Sequence, residues 1–400
     1  VSRVLSLLLI VVVAGRAVAA QDEPATRTAL IEQAEAERSA TLRPFVPNRV
    51  EQIVTRATDS LLGGHVKWHP FWTSAYSGGG FTLGAGYNKF LGSYASLDTR
   101  GSITFSGYKR IETELLVPRL FARTSTLTVT GGWREATEVG FYGLGTEGTS
   151  KDDRTNYAFN QPYLSATLSV RPQRRAAVLR GAFELSQWNQ GPATQGDFPS
   201  VEQVYPPGSL PGLGAQPVYW HSSGTVGVDT RSAVGYARRG GSYGVTAHDY
   251  HDRDHQYGFQ QLDYEAIQHI PIGRDAWVIS LRAQVETAFT KGGQEIPFYM
   301  LPSLGSGSNL RGYASWRFRD ANSLLGQAEW RIIVNRFFDT ALFVDAGKVT
   351  ALRGDLNFSD LKTDYGVGFR FHGPATTPLR IDIAGGSEGL QLVFAAAQVF

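Results

Sequence analysis

The chain has 400 residues, with 45 glycines, 12% aromatics, one methionine, no cysteine and a formal net charge of +2. So small a charge excludes an electrostatic nucleic-acid binder, which needs a basic face or domain. The lack of cysteine excludes disulfides, thiol catalysis and thiolate metal sites, and the glycine and aromatic content suits strands and tight turns better than a helical enzyme.

Residues 1–20 read as an export signal peptide. Arg3 supplies the basic start, residues 4–14 an apolar run, and Ala17-Val18-Ala19-Ala20 small residues for cleavage. The run falls short of the roughly 20 apolar residues that a spanning helix needs. Residues 21–64 are the helical part and read as a short periplasmic segment. Asn48 and Glu51 form a capping box there, Val50, Ile53, Val54, Ala57 and Leu61 mark one face, and Gly63-Gly64 ends it.

From 65 to 400 the polarity alternates with period two. Ser280, Arg282, Gln284 and Glu286 alternate with Ile279, Leu281, Ala283 and Val285, and Gln327, Glu329 and Arg331 with Ala328, Trp330 and Ile332. About sixteen such segments follow one another, from 66–76 through 175–189 to 390–400, each near the length that crosses a bilayer on a tilt. Lipid admits only helices and closed barrels. The pattern therefore predicts an all-β fold, a transmembrane antiparallel β-barrel with its apolar side on lipid and its polar side lining a lumen. The long connections 139–155, 190–217, 291–322 and 351–362 all fall at one end.

Little in this region suggests chemistry. His248, His251 and His255 with Asp249, Asp252 and Asp254 form the one dense ligand-like cluster, at an expected strand end and loop where such residues are solvated. No metal site is expected there. The Gly-x-Gly runs lack a following helix, so no phosphate loop, no cofactor and no enzyme activity are expected.

The loop 291–322 is too long for an ordinary hairpin. Gly305, Gly307 and Gly312 allow φ > 0 and close backbone approach around one presented arginine, Arg311. Pro297-Phe298-Tyr299, then Leu304-Gly305-Ser306-Gly307-Ser308-Asn309-Leu310-Arg311-Gly312-Tyr313, resembles the sixth extracellular loop of the bacterial outer-membrane barrel-assembly and two-partner-secretion superfamily. Tyr87-Asn88-Lys89-Phe90-Leu91-Gly92, Phe141-Tyr142-Gly143-Leu144-Gly145, Phe343-Val344-Asp345-Ala346-Gly347, Tyr365-Gly366-Val367-Gly368-Phe369-Arg370 and Pro378-Leu379-Arg380-Ile381-Asp382 resemble its other motifs, in the family's order.

The resemblance implies that this loop folds back into the barrel. It also implies that Arg311, in the Arg311-Gly312-Tyr313 tip, pairs with Asp345 of the Phe343-Val344-Asp345 motif, with Glu329 near. A planar guanidinium can grip a carboxylate with two parallel bonds and so fix orientation as well as charge. Phe400 is similar to the terminal signal by which such barrels are recognised for insertion, and its side of the last strand places it in a lipid-facing aromatic girdle.

The function implied is insertion or translocation of polypeptides at a weak seam between first and last strands. Gly78-Gly79-Gly80 and Ala395-Ala396-Ala397 offer few bulky cross-strand pairs there. Expected partners are outer-membrane lipid, unfolded polypeptide clients and a periplasmic partner, because residues 21–64 are too few for the family's usual transport-associated domains. The other reading is a passive pore or a structural barrel that has lost transport.

Overall fold

The computed structural model describes residues 67–172, 176–273, 276–373, 376–395 and 399–400. The export segment, the helical segment 21–64 and residues 396–398 of the last expected strand lie outside the described residues.

The first half of the described chain forms β1 (Trp68–Pro70), β2 (Thr82–Leu91), β3 (Ala95–Thr104), β4 (Lys109–Arg119), β5 (Ser125–Phe141), β6 (Thr155–Val170), β7 (Ala177–Gln187), β8 (Asn189–Pro192), β9 (Val218–Asp229) and β10 (Gly240–Asp252). The second half forms β11 (Phe259–Ile272), β12 (Trp277–Thr290), β13 (Ser303–Leu304), β14 (Phe318–Arg319), β15 (Asn322–Ile333), β16 (Phe338–Thr350), β17 (Lys362–Phe371), β18 (Leu379–Gly386) and β19 (Gly389–Ala395). All but β13 and β14 belong to one seventeen-stranded sheet with antiparallel pairing throughout, and those two pair with each other inside the loop after β12.

Period-two alternation sorts the side chains onto two faces. Ile103, Ile111, Leu164, Phe183, Val226, Leu281, Val344 and Leu392 are exposed on one. Asp98, Glu112, Gln161, Ser280, Glu329, Asp345 and Asp382 are buried on the other. The apolar face is the outside, the reverse of a soluble sandwich. Connecting segments lie against the polar face: Arg319 of β14, in the loop after β12, donates to Tyr157 of β6 at 3.1 Å, and Tyr236 of the β9–β10 turn donates to Asp339 of β16 at 2.6 Å.

Connections 142–154, 193–217, 291–321 and 351–361 share one end of the strands, the loop end, while turns such as 92–94 and 334–337 lie at the other. At the loop end an apolar cluster fills the interior. It includes Tyr108, Phe141, Tyr157, Phe159, Val201, Leu210, Phe298 and Tyr299, drawn from strands, the short β3–β4 connection and two of the long connections.

Two expected strands differ in form. The segment 66–76 pairs with β2 only at Trp68, His69 and Pro70. Proline has no N–H to extend the ladder, and after Phe71 donates to Gly84 the chain turns onto the inner face. There the Phe71 ring lies under Arg100 and Arg110, at 5.1 and 5.7 Å, and the Tyr76 hydroxyl donates to Gln161 at 2.7 Å. Gly78-Gly79-Gly80 lies between β1 and β2, where the first two strands are expected to meet, with φ +93° and +74° at its first and third glycines. The expected strand 175–189 is split into β7 and β8, which pair end to end along β6. The break at Trp188 falls beside Pro162 of β6, which has no donor for the ladder.

Candidate functional site

The loop after β12 enters the interior because its base is clamped and its tip finds charged partners. Ser303 pairs with Arg319 and Leu304 with Phe318, bringing the two ends of the loop together. Between them Asn309 acts as a local hub, its side-chain oxygen accepting from the backbone N–H groups of Gly305 at 2.9 Å and Leu310 at 2.8 Å. Leu310, Tyr313, Phe318 and Leu304 then pack with Leu325 and Val349 of the wall.

The three loop glycines serve different needs. Gly305 alone has positive φ, +100°. Gly307 and Gly312 are held to glycine by close approach: a Cβ on Gly312 would come within 2.5 Å of Asp364 Cβ, and one on Gly307 within 2.5 Å of Val393 Cγ1. The sequence expectation of φ > 0 thus holds at 305, while proximity to the wall explains 307 and 312.

Arg311 is fully buried. Its Nε donates to Asp345 Oδ2 at 2.7 Å and its Nη2 to Asp345 Oδ1 at 2.8 Å, the two parallel bonds of a bidentate pair. Its Nη1 donates to Glu329 Oε2 at 3.0 Å, and the guanidinium carbon stands 3.4 Å from the centre of the Phe343 ring. Tyr313 donates from its hydroxyl to the Thr363 carbonyl at 3.2 Å. The structure therefore brings Arg311, Gly312, Tyr313, Glu329, Phe343 and Asp345 into one place, across β15 to β17.

The sequence reading assigned no role to the second layer of this network. Arg370 of β17 donates to Glu329 at 2.7 Å and to Asp382 of β18 at 2.5 Å. Arg380 donates to the Gly307 carbonyl, Arg282 to the Ser308 carbonyl at 3.1 Å and Gln327 to the Asn309 carbonyl at 2.9 Å. A signal was present, because period two places Arg370, Arg380 and Asp382 on the same side as Glu329 and Asp345. Such a dense, buried set of ion pairs fixes the orientation of its members.

Phe400 does not sit in a lipid-facing girdle. Its ring stacks on His269 at 6.2 Å between centroids, and His269 is buried on the inner face, bonded to Ser280 at 2.8 Å. The last strand ends at Ala395 among the described residues, so its alternation cannot be extended to position 400. The histidine cluster is likewise dispersed. His248 lies within β10, as the expected strand end has it, but faces inward, 2.9 Å from His221 and 3.2 Å from Asp263. Asp252 accepts from the backbone of Gln256 and Tyr257. Among the described residues no group of three His, Cys, Asp or Glu could hold a metal ion.

The sequence profile of the Omp85 superfamily domain matches residues 90–386. No curated protein matches the chain. Among solved structures, BamA from Haemophilus ducreyi lacking POTRA domains 1–3 aligns with TM-score 0.61 and 16% identity, over 80% of this chain and 68% of that one. CdiB from Escherichia coli aligns with TM-score 0.54 and 12% identity, over 80% of this chain and 59% of that one. At these identities the likeness shows a shared barrel fold.

Proposed function

The chain belongs to the Omp85 superfamily, and from that premise we propose that it is an outer-membrane barrel assisting the insertion or translocation of polypeptides, with the loop end outside the cell. The observation that carries this reading is the fully buried Arg311 on Asp345 and Glu329. In this proposal the pair is a lock that holds the long loop against β15–β18, next to the last strand, and so shapes the wall where a client strand would be handled. Outer-membrane lipid surrounds the exposed apolar face, and a periplasmic partner supplies client delivery.

A freely conducting pore draws little support from the interior. A lumen wide enough for an aqueous channel is, in this chain, filled at the loop end by apolar side chains such as Phe141, Tyr157 and Phe298. Clients are tested by placing a photoreactive phenylalanine at Leu392, an exposed position of β19. Illumination during outer-membrane assembly should trap barrel-type polypeptides, identified by mass spectrometry. Adducts to lipid alone, together with Arg311→Ala raising ion conductance while leaving assembly of other barrels intact, would replace this reading with the pore.

A further inference from the structure

At the turn end most connections are short, but 230–239, between β9 and β10, is ten residues long. It does not extend outward from the strands. Tyr236 and Ala237 are 3% and 1% exposed, beneath strands far from β9 and β10 in the sheet order. The Tyr236 hydroxyl donates to Asp339 Oδ2 at 2.6 Å, and its ring lies flat on His372 at 3.9 Å between centroids. His372 is itself hydrogen-bonded to the other Asp339 oxygen at 3.0 Å. Arg331 of β15 donates to the Ala237 carbonyl, and Thr377 to the Gly235 carbonyl at 3.2 Å.

Three features make this more than a well-packed turn. Its contacts run to β15, β16 and the connection after β17, so the segment reaches from one part of the wall to another across the interior. Its anchors are polar and buried, which makes docking specific. It also lies opposite the apolar cluster of the loop end, so the interior is occupied from both sides.

We propose that residues 230–239 form an inner gate: docked through Tyr236 on Asp339 and His372, the turn closes the turn end of the lumen, and passage from that side requires its release. The inference rests on the barrel wall and not on which client the protein handles.

The absence of cysteine from the sequence makes accessibility a clean test. In the folded full chain, a membrane-impermeant maleimide should label Ala237→Cys at least tenfold more slowly than Ser93→Cys, which lies in an exposed turn at the same end. Adding Tyr236→Ala should accelerate labelling of Ala237→Cys at least tenfold. It should also accelerate Gln284→Cys, an inward position midway along β12. Tyr236→Phe, which keeps the ring but loses the bond to Asp339, should give a smaller rise and serves if the alanine variant fails to fold. Equal rates at 237 and 93 in the parent chain would overturn the proposal. So would release at 237 with Gln284→Cys as slow as before, because the turn would then be a structural dock that closes nothing.

Discussion

Arg311 and Asp345 both have fully buried side chains, so the pair gains little net stability over its desolvation but is costly to break from one side. Removing one partner leaves the other buried with one compensating charge fewer, a loss of about 3–5 kcal/mol. Arg311→Ala and Asp345→Ala should each speed protease cutting within 291–322, and the double variant should be little worse than either single, since both remove one contact. Additive damage would mean the two side chains act separately. Arg311→Lys should behave nearly as badly as alanine, because an ammonium cannot reproduce two parallel bonds to Asp345 while also reaching Glu329. Gly312→Val should release the loop without removing any charged group, because its Cβ would meet the Asp364 side chain. Parent-like protease resistance of Gly312→Val would show that the tip has room to move.

At the scale of elements, the long loop is held by two different kinds of contact. Its tip is bonded to charged groups of β15, β16 and β18, whereas its start, Phe298 and Tyr299, is packed among aromatic side chains of the strands. Phe298 is fully buried, and truncation to alanine should cost about 3–5 kcal/mol through lost contacts and the cavity left behind. Phe298→Ala should therefore lower the temperature at which the folded form unfolds in detergent. It should leave the tip protected from protease, because the Arg311 pair remains. Simultaneous loss of both protections would mean that the loop docks as one cooperative unit.

For the whole molecule, the exposed apolar face decides where the protein can reside. Isoleucine, leucine, valine and phenylalanine recur on the outer face of strand after strand, a surface far larger than a soluble monomer tolerates. The protein should fractionate with the outer membrane and migrate differently in detergent gels before and after boiling. Recovery as a soluble, heat-insensitive protein would contradict the membrane assignment. Function separates at the same scale. If the loop lock serves polypeptide handling, Arg311→Ala should reduce assembly of other outer-membrane barrels at unchanged levels of its own barrel. If it only blocks a pore, conductance should rise instead.

The sequence by itself determined the alternation, and with it the all-β class and which side chains face each way. A period of two is a local property of an extended chain, so Phe343 and Asp345 could be placed on one side of their strand without a fold, and the family resemblance put that side and Glu329 in the lumen. The Arg311 loop was legible through its glycines, its length and its resemblance to a family motif. Tertiary structure alone decided what the interior holds. Nothing local in residues 71–79 distinguishes a first strand from a segment laid on the inner face, because that choice depends on the distant ring of Phe159 and the amide of Gln161. The same holds for Phe400 beside His269 and for Tyr236 beneath Asp339. Arg370, Arg380 and Asp382 had legible sides but no legible partners, since salt-bridge partners on separate strands are set by sheet register and loop path. Those are global properties, fixed only when the sheet curls and brings separated strands around one buried space.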